Sequence, residues 1–426
     1  MMHFESLKDW LAWQESLHPQ TIDLGLERVT KVFRDLHPNY RKPLTITVAG
    51  TNGKGSCIAT LEAIYRAQGY HVAAYTSPHI LKYNERIKIN GIPVADELIC
   101  AAFTKIEAAR GDTSLSYFEF GTLAALEIFT QANVDIQLLE VGLGGRLDAV
   151  NIIDADVTLI SSIGIDHVDW LGATREEIGR EKAGIFRADI PAVIGDTNPP
   201  DSLLQTALDK NARTYLIGKD FGYHKQPTGW DWYAGEHHIH LPPPALKGEH
   251  QYRNAASVIF AINTLTDRLP VSETAIQQGL VSVQLSGRFQ LIEGDIPLLL
   301  DVGHNPEAVQ TLVDYLTTTF PEKRIHAIFS MMKDKDITSV LEIMNPVIHD
   351  WFFAPLANPR TATEELMRRI FSQSPVAKVS FGFTDFAGAY QAAMNHAQQG
   401  DLLLVFGSFL LVSDCLLNLQ KSELSK

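Results

Sequence analysis

A two-domain α/β protein is the fold class this sequence predicts, on three observations. Short runs rich in β-branched and other apolar residues alternate with stretches that are apolar at helical spacing. That order is the pattern of parallel sheets covered on both faces. Glycine-rich strings follow several of the apolar runs, as sheets with ligand sites beyond their carboxyl ends require. The alternation breaks between Gly222 and Pro244 and restarts near Gly287. A chain of 426 residues has room for two such units. The expectation is a mostly parallel sheet domain over 1–285 and a smaller, Rossmann-like α/β domain over 286–426.

The first domain is read as strands Leu44–Val48, Val72–Tyr75, Ile136–Val141, Val157–Ile163 and Ala192–Ile194. Helical patterns lie at Cys57–Gln68, Asp96–Arg110, Gly121–Gln131 and Arg175–Ala183. Between Gly222 and Pro244 the chain is rich in Trp, Tyr, His and Gly, and alternates apolar with polar residues. This predicts an antiparallel hairpin, followed by a helix over Tyr252–Arg268. The second domain is read as strands Phe289–Ile292, Leu298–Val302, Ile325–Phe329, Trp351–Ala354, Lys378–Phe381 and Leu402–Phe406, with helices between them.

The string Ala49-Gly50-Thr51-Asn52-Gly53-Lys54-Gly55-Ser56 links the first strand to the first helix. Strand, glycine loop, lysine, hydroxyl and helix form the layout of a nucleotide phosphate cradle. Glycines let backbone N–H groups turn toward a polyphosphate, and the helix N-terminus adds partial positive charge. Lys54 can reach the β- and γ-phosphates, and Ser56 can ligate Mg²⁺. The first domain is therefore expected to be a P-loop-type ATPase domain. The bland alternative, a glycine-rich turn with no ligand, is disfavoured by the strand and helix flanking the string.

Further clusters fall at strand ends. Thr76-Ser77-Pro78-His79 offers a serine hydroxyl, although Ser-Pro alone is a common turn. Glu140 lies inside an apolar strand and precedes Val141-Gly142-Leu143-Gly144-Gly145-Arg146-Leu147-Asp148. An unpaired carboxylate there is costly; a metal ion resolves the cost, and so does an ion pair with Arg146. His167 follows the next strand, with Asp166 and Asp169 able to orient its ring. Lys182, in Arg180-Glu181-Lys182-Ala183-Gly184-Ile185, reads from spacing alone as a solvated cation at a helix C-terminus. In the second domain, Arg288 can offer charge-assisted bonds to a phosphoryl group. Asp301, in Asp301-Val302-Gly303-His304-Asn305-Pro306, can accept from a ribose or orient a cation. A helix cap is its alternative role, which suits Asn305 better.

Composition excludes other classes. A net charge of −14 provides no basic field for nucleic acid. No segment has the pattern of a secretion signal, and no apolar stretch is long enough to span a bilayer. Cys57, Cys100 and Cys415 form neither a disulfide framework nor a zinc motif, which fits a reducing cytoplasm. Cys57 reads as a small packing residue rather than a nucleophile.

Taken in order, the motifs Gly-Thr-Asn-Gly-Lys-Gly-Ser, Thr-Ser-Pro-His, Glu-Val-Gly-Leu-Gly-Gly-Arg-Leu-Asp, Ile-Asp-His-Val-Asp-Trp-Leu-Gly, Glu-Lys-Ala-Gly-Ile and His-Asn-Pro resemble one family. From about residue 20 onward the chain is similar to the folylpolyglutamate synthases of the Mur ligase superfamily, and more closely to the bacterial bifunctional dihydrofolate synthase/folylpolyglutamate synthases. The resemblance implies an ATP-dependent, ADP-forming amide ligase that acts through an acyl phosphate. Its substrates would be dihydropteroate, tetrahydrofolate and L-glutamate, and it would be a cytoplasmic monomer. It implies ATP held by Gly53, Lys54, Gly55, Ser56, Asn254, Arg288 and Asp301, with the second domain completing the site on closure. Ser77, Glu140, His167 and Lys182 match ligands of two Mg²⁺ sites, with Lys182 carboxylated on Nζ. Lys54, Glu140, His167 and Lys182 are thus the implied catalytic set.

The same resemblance places dihydropteroate against Thr21, Ile22, Asp23 and Leu24, against Ser116, Tyr117, Phe118 and Glu119, and against Leu147, Asp148 and Ala149. Aromatic rings there can stack on a planar pterin, while Phe120 reads equally well as helix core. One departure stands out: Leu410 follows Gly407-Ser408-Phe409, where relatives usually have histidine. A Mur-type ligase acting on a cell-wall nucleotide, an enzyme with folylpolyglutamate synthase activity only, and a nucleotide-binding regulator without catalysis are the alternatives. Retention of Glu140, His167 and Lys182 together argues against the regulator.

Overall fold

The computed structural model describes residues 4–20, 22–373 and 378–424. They form two compact units. The first comprises Met1–Gly164, Val168–Ala245 and Gln251–Val283; the second comprises Ile165–His167, Leu246–His250 and Gln284–Lys426. Among the described residues, no helix is long and apolar enough to cross a membrane.

The first unit is built on strands β1 (Leu44–Ala49), β2 (Val72–Tyr75), β3 (Ile87–Ile89), β4 (Ile92–Pro93), β5 (Ile136–Glu140), β6 (Val157–Ile160), β7 (Pro191–Ile194) and β8 (Arg213–Leu216). They join in one sheet, ordered β4-β3-β2-β5-β1-β6-β7-β8. The pairs from β2 to β8 are parallel. Strands β3 and β4 add an antiparallel edge, which the sequence reading omitted. Asn90 and Gly91 join them with φ of 53° and 76°, as a tight Asn-Gly hairpin turn requires. Strand β8 was omitted as well.

The central strands β1, β5 and β6 are buried almost throughout, so they read as continuous apolar runs. On one side of the sheet, the helices Lys54–Gln68 and Glu273–Ser282 meet at Gly279. A Cβ on Gly279 would lie 2.6 Å from Ile64 Cα, so only glycine lets the two backbones come this close. Two N-terminal helices, Leu7–Leu17 and Glu27–Leu36, cover part of the other side. They bury Trp10, Val29, Val32 and Phe33 at helical spacing. Trp10 donates its ring N–H to the Phe4 carbonyl at 3.0 Å and packs on Phe103 and Phe120. Phe120 is fully buried there, so it is helix core.

Between Gly222 and Leu241 the expected hairpin is a three-stranded antiparallel sheet, made of β9 (Gly222–Gln226), β10 (Gly229–Ala234) and β11 (His237–Leu241). Trp230 and Trp232 are buried in it together with Ile239 and Leu241, and the Trp232 ring N–H reaches the Ala256 carbonyl at 3.0 Å. The following helix runs Glu249–Asn263, three residues earlier at its start than its apolar pattern indicates.

The second unit holds β12 (Gln290–Ile292), β13 (Leu298–Asp301), β14 (Ile325–Phe329), β15 (Asp350–Phe353), β16 (Lys378–Ser380) and β17 (Leu402–Phe406). Their order is β12-β13-β17-β14-β15-β16. Only β12 runs antiparallel to its neighbour.

The Gly279 contact yields a test. Gly279→Val overpacks the junction with Ile64 and should lower unfolding free energy by about 1–3 kcal/mol. A urea transition with an unchanged midpoint would refute the close-contact argument.

Candidate active site

Parallel pairing places four loops at one edge of the first unit's sheet. Tyr75 pairs with Leu139, Val48 with Glu140, and Ala49 with Ile160. The segments beginning at Thr76, Gly50, Val141 and Ser161 therefore leave the sheet side by side. In open α/β sheets this carboxyl edge is where ligands bind.

The Gly50–Gly53 loop is laced to the segment after β6. Thr51 N–H donates to Ser162 O at 2.7 Å, and Thr51 Oγ1 exchanges hydrogen bonds with the backbone of Gly164 at 3.0 and 2.9 Å. Ser161 Oγ donates to the Asn52 carbonyl at 2.6 Å. Gly53 has φ of 87° and caps the helix Lys54–Gln68. A Cβ on it would lie 2.9 Å from Asn254 Oδ1. Lys54 Nζ folds back over the loop, donating to Gly50 O at 3.0 Å and Thr51 O at 3.2 Å. The loop carbonyls thereby anchor an ammonium beside helix N–H groups, a polarity suited to polyphosphate.

Ser56 is buried and receives a hydrogen bond from Gln251 Nε2 at 3.2 Å; Gln251 Oε1 in turn accepts from Asn254 Nδ2 at 3.1 Å. Sequence reading missed Gln251, which lies in the same helical turn as Asn254. Cys57 is buried, and burial pushes its thiol up to about 12, which makes it a packing residue.

Glu140 is buried at the end of β5, and its Oε2 accepts from the Ser77 backbone N–H at 3.2 Å. The structure thus brings Ser77 and Glu140 together. The Arg146 ion-pair alternative is not realised as expected: Arg146 engages Glu181 at 2.9 Å. His79 accepts from Arg86 at 2.9 Å, and burial together with the Arg86 charge pushes its pKa down to about 4. It stays neutral near pH 7.

Lys182 corrects the solvated-cation reading, because the residue is buried, with 5 % exposure. The helix Arg175–Lys182 ends against the loop after β5. A Cβ on Gly145 would lie 2.8 Å from Lys182 O, and Arg146 N–H donates to Glu181 O at 2.9 Å. Asp148 fixes that loop by accepting from Leu143 N–H at 2.8 Å and Val150 N–H at 3.0 Å. Burial pushes the Asp148 carboxyl up to about 6, against the pull of these amides and of Lys182. Ala149 is buried and Leu147 is half-buried beside it.

Thr21 lies outside the described residues. Ile22, Asp23 and Leu24 are half-buried and in no regular element. Asp23 pairs with Arg28 at 2.7 Å and with His18 at 2.9 Å, and Arg28 also reaches Glu119 at 3.1 Å. Ser116 and Glu119 form a capping box at the start of the helix Tyr117–Ala132, four residues before its expected start. Phe118 lies over Gly142, where a Cβ would meet its ring at 2.5 Å. Ile22–Leu24, the Ser116–Glu119 turn and the Gly142–Ala149 loop therefore all belong to the first unit.

In the second unit, Asp301 is buried at the end of β13 and accepts from Gly303 N–H at 2.7 Å and Phe289 N–H at 3.3 Å. Burial raises its pKa, and Arg288 opposes the rise. The Arg288 guanidinium lies 5.1 Å from the Phe409 ring centroid. Asn305 caps the helix Pro306–Thr319, as expected. Asp166 is a hub within this unit: Lys335 approaches it at 2.5 Å, Asn305 at 3.3 Å and His304 at 3.4 Å. Burial opposes its ionisation, but His304, His167 and Lys335 outweigh burial and hold the carboxyl well below its usual range. The His167 backbone N–H donates to Asp166 at 2.8 Å, with a φ of 53°. Asp169 is exposed. Lys335 went unnoticed in the sequence, although the Lys333-Asp334-Lys335-Asp336 run lies just beyond a strand end.

A glycine loop at the carboxyl edge of a parallel sheet, followed by a second α/β unit, is found here in a chain that two Mur ligase domain models match, which makes it an ATP-dependent ligase of the Mur type. Residues 48–262 match the Mur ligase middle domain, and residues 287–409 match the Mur ligase glutamate ligase domain. The chain is 43% identical over 406 residues to the dihydrofolate synthase/folylpolyglutamate synthase of Escherichia coli (strain K12), covering 95% of this chain and 93% of that one. Escherichia coli FolC in complex with DHPP and ADP superposes with a TM-score of 0.93 at 41% identity, over 99% of this chain and 100% of that one. A bifunctional folylpolyglutamate synthase/dihydrofolate synthase with Mn, AMPPNP and L-glutamate bound gives 0.90 at 41% identity, over 98% of each chain. This chain belongs to the dihydrofolate synthase/folylpolyglutamate synthase family.

The loop geometry predicts that Lys54→Ala keeps the fold, since the bonds it removes include those from Nζ to the loop carbonyls of Gly50 and Thr51, while the loop keeps its own bonds to the segment after β6. ADP binding should weaken by about 10- to 100-fold, the loss of one charge-assisted contact. Calorimetry giving the wild-type affinity would reject the assignment of Lys54.

Proposed function

We propose that this chain joins L-glutamate to a pterin-linked carboxylate at the expense of ATP. The substrates are dihydropteroate, giving dihydrofolate, and the γ-carboxylate of tetrahydrofolate, giving polyglutamates. The observation that carries the reading is the laced phosphate loop with Lys54 folded over it, set in register with the buried Glu140, in a member of this family.

A carboxylate is a poor electrophile because oxide would have to leave. Transfer of the γ-phosphoryl group to its oxygen gives an acyl phosphate and ADP. The glutamate amine then attacks the carbonyl carbon, loses a proton, and expels inorganic phosphate. These steps bring several anions together, so fixed cations and backbone dipoles matter more than a covalent nucleophile. Lys54 and the Gly53–Ser56 turn hold the phosphates in this reading. Asn254, whose amide donates to Gln251, lies against Gly53 of that turn and contributes to holding ATP.

Bound Mg²⁺ supplies charge neutralisation at the transferred phosphoryl group. The donor set fits it: Ser77 and Glu140 are neighbours through a hydrogen bond, and Glu140 is a buried carboxylate. Lys182 fits as a carboxylated ligand, because an ammonium at 5 % exposure carries a desolvation cost that an anionic carbamate on a metal avoids. His167, Arg288 and Asp301 keep the roles that the sequence resemblance implies. Tyr117 and Phe118 face the pterin, while Glu119 and Asp148 hold the neighbouring loops. The enzyme acts as a cytoplasmic monomer, a setting that suits its free cysteines.

The defining assay is ADP release on mixing dihydropteroate, L-glutamate and MgATP. ATP binding without substrate-dependent ADP release would reduce the protein to a nucleotide binder. The sharper test is Lys182→Ala, which should lower kcat by about 100-fold or more, the scale of one active-site electrostatic group. Short carboxylic acids should restore part of the rate and amines none. Normal turnover by the variant would sink the carbamate.

A further inference from the structure

The second unit carries another cluster at the opposite end of its sheet. Strands β14, β15 and β17 are parallel, so their starts gather at the edge away from Asp301 and Lys335. His326 is the second residue of β14, Asp350 opens β15, and Asp401 immediately precedes β17. The helix Phe386–His396 ends beside them with His396.

His326 is 1 % exposed and lies between two carboxylates. Its Nε2 is 2.9 Å from Asp401 Oδ2, and its Nδ1 is 3.1 Å from Asp350 Oδ2. His396 Nε2 approaches that same Asp350 oxygen at 3.2 Å, and the two rings stand at 87° with centroids 5.3 Å apart. An ionised carboxylate can only accept, so His326 Nε2 carries the hydrogen that Asp401 receives. In the neutral ring, the Nδ1 lone pair then lies beside the Asp350 carboxylate, 3.1 Å away, without pointing at it. This buried Nδ1 has no hydrogen-bond partner of acceptable direction. A proton on Nδ1 would be badly aimed, whereas a cation placed among the three atoms answers both the lone pair and the carboxylate.

We propose that His326 Nδ1, Asp350 and His396 Nε2 form a zinc-class transition-metal site, separate from the nucleotide edge. The three ligand atoms all lie within 4.8 Å of one another. Zinc bonds to N and O of about 2.0–2.2 Å give tetrahedral edges of about 3.3–3.5 Å, close to the two short separations here. Asp401 holds the His326 ring in its ligating tautomer, the usual outer partner of a metal-bound imidazole. Two imidazoles favour Zn²⁺ over Mg²⁺, which prefers oxygen ligands. His396 is about half exposed (47 %), leaving an entry path and a fourth position for water. Arg324, 3.9 Å from Asp350 and 56 % exposed, is the competing cation on the rim and can swing into solvent. The metal would tie the end of the helix Phe386–His396 to β14 and β15.

The test uses the full chain, stripped of metal and titrated with Zn²⁺ against a chromogenic chelator in excess Mg²⁺. Wild type should take up one equivalent and melt at a higher temperature with Zn²⁺ present. His396→Ala, a change at a half-exposed helix end, should bind more than about 10-fold more weakly and lose the melting shift, while Asp401→Asn should lose about 10-fold or more. His167→Ala should keep the equivalent, which separates this site from the nucleotide edge. Co²⁺ in the wild type should give the visible absorption of a four-coordinate N/O site and lose it on Zn²⁺ addition. Zinc uptake identical in wild type and His396→Ala would overturn the proposal. So would no uptake at micromolar Zn²⁺, which would leave a hydrogen-bonded His–Asp cluster, or the lack of that Co²⁺ absorption.

Discussion

The seam between the phosphate loop and the segment after β6 is the constraint on which the site depends. A loop of glycines has no preferred shape of its own. Here Thr51, Ser161 and Ser162 impose one through side-chain to backbone bonds at 2.6–3.3 Å. Two of its carbonyls, those of Gly50 and Thr51, receive Lys54, while that of Asn52 is held across the seam by Ser161 and Ser162. The seam exists because β1 and β6 are parallel neighbours and release their chains at the same level. Central burial of those strands is therefore what gives the loop its geometry.

Anionic ligands sit uneasily in a chain of net charge −14. The structure handles this locally by pairing its acidic groups rather than by adding a basic surface. Asp23 is taken by Arg28 and His18, Glu119 by Arg28 and its own helix cap, and Asp166 by Lys335 and His304. Asp148, tied to backbone amides and pushed up to about 6 by burial, carries little negative charge at mildly acid pH. Positive groups near the loops are thereby less opposed than the overall charge indicates.

The strands of both sheets were legible because buried parallel strands are short apolar runs bounded by glycine. Leu402–Phe406 and Ile325–Phe329 were read to the residue. What escaped was either short or amphipathic in another register. The hairpin of β3 and β4 announced itself only through Asn90-Gly91, a dipeptide signal easily passed over between longer elements. Helix starts were misplaced where the first turn is polar: Ser116–Glu119 looks like a loop until the capping box is recognised. At the site, side chains within motifs were legible, but Gln251 and Lys335 were not. Their places are set by which strand ends become neighbours, and spacing along the chain does not carry that. The burial of Lys182 was hidden for the same reason, since a lysine ending a helix normally faces water.

The way Lys182 is held has a consequence for how the position can vary. Its place is fixed by main-chain packing of Gly145 against the end of the helix Arg175–Lys182, and by Arg146 N–H on the Glu181 carbonyl. None of those contacts reads the identity of the residue at 182. The main chain thus sets where the side chain of residue 182 leaves the helix, and it leaves inside the protein, within electrostatic reach of Asp148, rather than into water.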